Sequence, residues 1–155
     1  MLVRKLTACG LVFALLSGVC FGQVQYDFDK AEYMKPPAAG SKKGEAVGGT
    51  LRFDSTKKEA QFVDKKGTPS LSIKYDTIKS ILYEKAAKPR YGAGLLIAWP
   101  LLFTKSNKHY LTIQYTDAAG AGQFAIIHLD KSNFQGAVAR AESETGKKVE
   151  RAEEH

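Results

Sequence analysis

Alternation of apolar and polar residues dominates the chain after residue 49 and predicts antiparallel β-strands. The clearest alternating segments are 50–54, 59–64, 70–76, 108–116 and 123–130. Polar stretches rich in Asp, Gly, Lys and Pro separate them, as turns between strands require. The last of these segments is apolar on both faces, which is typical of a central strand or of one covered by a helix.

The alternation slips by one residue near Asp76 and Thr77. Leu71 and Ile73 share one face before this point, whereas Ile78 after it falls out of phase. Because a shift of one residue would turn the core face outward, the slip predicts a bulge or a bend between two strands.

The period changes from two to about 3.6 after residue 130, which predicts one amphipathic helix of about 14 residues. Ser132 and Gln135 have the spacing of a capping box at its start, and Gly146 suits its end. One helical face collects the residues expected to pack on the strands: Phe134, Ala137, Val138, Ala141 and Thr145.

An uncharged apolar run, GAGLLIAWPLLF, occupies residues 92–103 between two predicted strands. It is too short to span a bilayer, which takes roughly 20 apolar residues. Three interpretations stay open: a buried strand or short helix of the core, a segment that inserts shallowly into a membrane, and a patch for a protein partner. Trp99 suits a membrane interface, and Pro100 would bend the segment.

The membrane interpretation names two groups of residues. The candidate contacts with a membrane or an apolar ligand are Leu95, Leu96, Ile97, Trp99, Leu101, Leu102 and Phe103. The candidate contacts with an anionic surface flank the run: Lys85, Lys88, Arg90, Lys105 and Lys108. Each such cation near anionic lipid contributes on the order of 1 kcal/mol.

Residues 1–22 have the order of a secretory signal peptide. Arg4 and Lys5 are followed by an uncharged stretch of about 16 residues, too short for a membrane anchor, and small residues precede a cut after Gly22. Cys20 is placed for lipidation, but Val19 before it is larger than the usual small residue, so we expect cleavage without lipidation. Both cysteines would then be lost, and no disulfide framework is expected.

Cleavage leaves 133 residues, enough for one domain, with a net charge that falls from +7 to +5. We predict a flexible lead-in over 23–48, a folded domain over 49–150 and a frayed tail over 151–155, because breakers fill the lead-in. The moderately basic surface would attract anionic partners such as lipid headgroups. Nucleic acid is not expected as a partner, because no binding motif is present.

Six to seven antiparallel strands followed by one C-terminal helix resemble the pleckstrin-homology-like domains, including bacterial GRAM-type domains. The residues that carry the resemblance are SLSIKYDTIKSILYEK at 70–85, the hairpin KHYLTIQYTDAAGAGQFAIIHLD at 108–130, and the helix with TGKKVE after it. It covers about 49–150 and rests on apolar patterning. The resemblance implies a mainly β fold, a bent barrel or sheet that the helix closes at one end. The basic motif that binds phosphoinositides in such domains is not evident.

No pattern in the chain indicates catalysis. His109 and His128 lie on adjacent predicted strands and would share a metal only if they faced the same side, but a third ligand is not indicated. Asp residues occur singly at strand ends, where turns favour them. No serine has the Gly-x-Ser-x-Gly setting of a nucleophile. We therefore expect no enzyme activity, no metal and no cofactor.

These observations predict an exported, non-enzymatic binding or scaffold module of the bacterial envelope, periplasmic or extracellular. The alternatives are a peripheral membrane protein that uses residues 92–103 with the flanking cations, and a subunit of an envelope assembly. The expected partners are an anionic membrane surface or another envelope protein, and the oligomeric state is left open.

Overall fold

A computed structural model of the chain describes residues 24–35, 44–86 and 108–152. Strands make up 63% of the described residues, and one α-helix follows them. The elements in chain order are β1 (Gln25–Lys35), β2 (Glu45–Asp54), β3 (Glu59–Asp64), β4 (Pro69–Lys74), a 3-10 turn (Tyr75–Thr77), β5 (Ile78–Ala86), β6 (Lys108–Thr116), β7 (Gly122–Leu129), α1 (Phe134–Thr145) and β8 (Val149–Ala152).

All eight strands belong to one sheet in the order β4-β3-β2-β1-β7-β6-β5-β8. Every neighbouring pair is antiparallel except β5 and β8, which run parallel. β8 can run parallel to β5 because α1 lies between them in sequence and returns the chain along the sheet before β8 begins.

Aspartates close the tight turns between the antiparallel strands. The Asp54 carboxylate accepts the backbone N–H groups of Thr56 and Lys57 at 2.9 and 2.8 Å. Asp64 and Asp117 do the same in the next two hairpins, in which Gly67 and Gly120 both have φ of 83°. The single aspartates therefore serve turns, as predicted from the sequence.

The core lies on one face of the sheet, which we call the inner face. It combines large side chains from strands, among them Leu51, Phe53, Phe62 and Ile113, with the small face of α1. Ala137, Val138 and Ala141 of α1 are buried, while Phe134 and Thr145 are half-buried. The amphipathic helix is confirmed, and Gly146 ends it with φ of 66°.

The slip near Asp76 is confirmed as well. The 3-10 turn Tyr75–Thr77 connects β4 to β5, and the pairing of β5 with β6 is irregular between Ile78 and Ser80. Ile73, Tyr75, Ile78 and Ile81 all stay buried because the turn and the bulge restore the apolar phase.

Several expectations are wrong. Over the described residues the sheet has eight strands rather than six or seven. It is open, so of the predicted barrel or sheet only the sheet is observed. The stretch predicted as a flexible lead-in contains β1 and the start of β2, and the stretch predicted as a frayed tail contains the end of β8. The capping box is absent as well, because Asn133 is the N-cap and makes no side-chain capping bond.

The missed strand β1 has a physical explanation. It occupies the centre of the sheet and pairs with both β2 and β7. A bulge at Asp29 and Lys30, where Lys30 has φ of 57°, breaks its alternation into two short pieces. Neither piece has enough apolar residues to indicate a strand without the neighbours that pair with it.

Candidate functional site

The cations predicted to meet an anionic surface lie at one end of the sheet, as far as the structure describes them. Lys85 of β5 pairs with His109 of β6, and Ala86 pairs with Lys108. Lys85 and Lys108 therefore occupy successive rungs of two neighbouring strands. Lys88, Arg90 and Lys105 lie outside the described residues, as do all seven apolar candidates: Leu95, Leu96, Ile97, Trp99, Leu101, Leu102 and Phe103.

Two further lysines join this end of the sheet. Lys30 and Lys131 are close enough to Asp130 for their charges to lower the pKa of its carboxyl, although its hydrogen bonds with Ser132 lower that pKa more. Lys85 and Lys108 likewise contribute to the lowered pKa values of His109 and His128. We call Lys30, Lys85, Lys108 and Lys131 the basic edge.

Acidic groups near the basic edge are partly occupied by other partners. Glu32 contacts His128 with 3.0 Å between Oε2 and Nδ1, and Asp130 accepts bonds from the backbone N–H and the hydroxyl of Ser132. Both carboxylates keep their negative charge in these bonds, so they offset part of the positive charge of the four lysines. The sequence indicated Lys85 and Lys108, but Lys30 and Lys131 come from distant positions that only folding brings near.

An aromatic stack lies beside the basic edge on the inner face. The His109 and Phe134 rings are parallel with centroids 3.9 Å apart. The Tyr83 ring is nearly parallel to both, and its hydroxyl lies 2.7 Å from Nδ1 of His109. The sequence placed Phe134 on the packing face of the helix but did not indicate its contact with His109 and Tyr83.

Burial lowers the pKa of His109, and the charges of Lys85 and His128 lower it further, while Asp130 opposes the shift. The lowered pKa keeps the imidazole mainly uncharged at pH 7, and its Nδ1 shares a hydrogen bond with the Tyr83 hydroxyl whose direction is set by the tautomer. In the described residues no carboxylate hydrogen-bonds to His109 in support of a proton-transfer role. The three nearly parallel rings form an aromatic wall on the inner face.

His109 and His128 do not form a metal site. His109 lies two residues before Leu111 and so shares the inner face with Leu111 and Ile113. His128 lies between the core residues Ile127 and Leu129 and so points to the opposite, outer face. No group of three metal-ligating side chains occurs within residues 24–35, 44–86 and 108–152.

The outer face carries a polar row that sequence reasoning missed. The row takes one residue from each of four neighbouring strands, and each pairs with the next: Glu32 of β1, His128 of β7, Tyr110 of β6 and Glu84 of β5. Tyr110 and Glu84 are buried. Burial raises the pKa of Tyr110 to about 12, with Glu32 and Glu84 adding to the shift, so its phenol stays neutral. No local pattern in β5 or β6 distinguishes these residues from ordinary strand positions.

Acidification is expected to destabilise the fold through the two histidines. Burial is the main cause of the lowered pKa of each, and for His128 it outweighs the hydrogen bond with Glu32. An unfolded histidine titrates near about 6.5. The unfolded state therefore binds more protons just below that pH, and the stability present above it is lost as the pH falls toward the folded pKa values.

Urea unfolding measured at steps between pH 7.5 and 5 checks this expectation. The free energy of unfolding should fall below about pH 6.5, and His109→Gln should remove part of that fall. Aspartates with lowered pKa values, such as Asp54, act near pH 4 and below, outside this range. A flat profile, or an unchanged fall in His109→Gln, would contradict the assignment.

Within the described residues, no helix has the length and apolarity needed to cross a bilayer. No protein-family model matches the chain, and no curated protein matches it either.

Proposed function

We propose that this protein is an exported, non-enzymatic binding module of the cell envelope that docks on an anionic surface through its basic edge. The observation that carries the proposal is the placement of Lys30, Lys85, Lys108 and Lys131 at one end of the sheet. In the sequence, the apolar run 92–103 lies between Ala86 and Lys108, and these two residues pair at the ends of β5 and β6.

A pleckstrin-homology-like architecture is part of this proposal. Two antiparallel meanders, β1–β4 and β5–β7, with a C-terminal helix packed on the inner face, support the resemblance. The open sheet and the added strand β8 are departures from it. Export to the periplasm or the medium rests on the signal-like residues 1–22.

Anionic lipid fits the basic edge better than a protein partner does. The lysines are spread over separate strands and a loop, and such a set of mobile point charges suits a fluid surface of many phosphates. A specific protein partner would call for an apolar centre among the contacting residues, which the four lysines do not supply, and the aromatic stack lies beside them on the inner face. The apolar run 92–103, which lies in the sequence between Lys85 and Lys108, would add shallow insertion to this attraction.

Sedimentation with vesicles tests the proposal. A chain starting at Gln23 retains every described residue and should pellet with phosphatidylglycerol-containing vesicles, but not with pure phosphatidylcholine. Lys85→Glu with Lys108→Glu should weaken binding by about 30-fold or more, because each lysine near such a surface contributes about 1 kcal/mol. Added salt should release the wild type.

Lys147→Glu with Lys148→Glu is the matched control, because both lysines are exposed and the net charge changes equally. They follow the C-terminus of α1, whereas the basic edge lies near its N-terminus, about 18 Å away for 12 helical residues. If both double variants lost vesicle binding equally, the binding would depend on the net charge of the protein and not on the basic edge. A wild type that stays in the supernatant at low salt would reject the proposal.

The apolar run needs a separate test, because core packing and membrane insertion predict different results. Leu96→Ser with Trp99→Ser should release the protein from vesicles without changing its unfolding midpoint if the run inserts. A large fall in that midpoint would instead assign the run to the core. Binding that survives in a stable variant would restrict the contact to the basic edge.

A further inference from the structure

A groove between α1, β5 and β8 lies on the far side of the sheet from the outer-face polar row. Its volume is about 290 Å³, and it is lined by Tyr83, Phe134, Gln135, Val138 and Arg151. This volume is at the lower end of the range of roughly 300–1,000 Å³ for small-molecule sites. The groove therefore has room for a ligand about the size of one aromatic amino acid.

The aromatic side of this groove is held in place before any ligand arrives. Tyr83 and Phe134 have parallel rings with centroids 5.6 Å apart, and His109 packs on Phe134 while its Nδ1 lies 2.7 Å from the Tyr83 hydroxyl. A wall fixed by stacking and a hydrogen bond loses little conformational entropy on binding, which favours affinity for a flat apolar group.

The polar side of the groove is cationic. Arg151 is exposed and forms no ion pair with any residue in the described part of the chain. None of the five lining residues is acidic. A guanidinium group binds a carboxylate with two parallel hydrogen bonds, and Gln135 on the helix adds an amide that donates to the same kind of group.

We propose that this groove binds an aromatic carboxylate, with the ring against Tyr83 and Phe134 and the carboxylate on Arg151. The same chemistry belongs to a free aromatic acid and to an aromatic residue at the C-terminus of a peptide. The inference is independent of the proposed docking on an anionic surface, because it uses no residue of the basic edge.

Titration of the purified, isotope-labelled protein followed by NMR tests the inference, with N-acetyl-tryptophan as the probe. The backbone amides of Gln135, Val138 and Arg151 should shift in a saturable way at about millimolar concentrations. N-acetyl-tryptophan amide, which has the ring without the charge, should bind at least about tenfold more weakly, because a hydrogen bond to a charged group contributes that much.

Three variants distinguish the groove from general attraction. Arg151→Gln should abolish the preference for the acid over the amide, whereas Lys148→Gln, with the same change in net charge, should retain it. Phe134→Ala should weaken both probes. The inference would be overturned if no saturable shifts appeared, or if the shifts were spread over lysines outside the groove. Equal effects of Arg151→Gln and Lys148→Gln would overturn it as well.

A short peptide ending in tryptophan identifies the source of the carboxylate. Tighter binding than N-acetyl-tryptophan, with the same three amides shifted, would assign a peptide C-terminus. Weaker binding would assign a free aromatic acid, because the preceding residues would then clash with the walls of the groove. These results do not depend on whether vesicles bind the protein.

Discussion

Gly49→Ala is expected to destabilise the protein by about 3 kcal/mol or more, at the upper end of the cost of overpacking. A Cβ atom on Gly49 would lie 2.1 Å from the backbone oxygen of Val63 and 2.9 Å from Cε1 of Phe62. Val63 belongs to β3, which pairs with β2 along its whole length. The two strands would have to separate, because a backbone oxygen cannot move without breaking the ladder.

Gly48→Ala is the matched control, since it makes the same change one residue earlier. Its Cβ would meet only Cε and Nζ of the Lys65 side chain, at 3.1 and 3.5 Å, and a flexible lysine end moves at little cost. A glycine within a strand also costs roughly 0.5–1 kcal/mol relative to alanine, so Gly48→Ala is expected to be neutral or slightly stabilising.

Chemical denaturation of both variants, followed by circular dichroism, measures the difference. The two free energies of unfolding should differ by several kcal/mol, and Gly49→Ala should shift the midpoint strongly. Similar free energies of unfolding for the two variants would show that β2 and β3 do not approach each other closely at Gly49.

Phe53→Ala is expected to lower the free energy of unfolding by about 3–5 kcal/mol, the range for truncating a buried aromatic side chain. Phe53 is fully buried, and its ring meets that of Phe28 edge-on with centroids 6.1 Å apart. It pairs with Tyr26 on β1 and with Ala60 on β3. Phe28 and Tyr26 line one side of the ring, but Ala60 on the other side is too small to fill the space, so the cavity is expected to relax only in part.

Val24→Ala is the control for Phe53→Ala, because Val24 is 46% exposed and its truncation leaves no enclosed cavity. A change within about 0.5 kcal/mol is expected there. Because a domain of this size is typically stable by about 5–15 kcal/mol, Phe53→Ala should approach the limit of folding at 37 °C. A loss below 1 kcal/mol would contradict the central position of Phe53 in the core.

Periodicity alone predicted the elements that have a regular apolar face. The alternation of Leu111, Ile113 and Tyr115 located β6, and the helical spacing of Ala137 and Ala141 located α1. Such patterns are visible in sequence because each element must bury one face, and the spacing of buried positions follows the backbone geometry.

β1 and β8 lacked such a pattern. The bulge at Asp29 and Lys30 interrupts β1, and β8 has four residues, of which Val149 alone is buried. Both are strands because neighbouring strands supply hydrogen bonds and partners for their backbones. Their formation is a tertiary effect, and the sequence pattern assigned β1 to the lead-in and the second half of β8 to the tail.

The candidate sites likewise combine residues that the sequence indicated with residues that only folding brings together. The sequence by itself determined the strands that have a regular apolar face, that a helix follows them, and that Lys85 and Lys108 flank an apolar run. The tertiary structure decided that Lys30 and Lys131 join them, that His109 and His128 face opposite sides, and that Tyr83, Phe134 and Arg151 line one groove. The physical reason is that local patterns encode which face of an element is buried, whereas strand order and the packing of the helix decide which distant side chains meet.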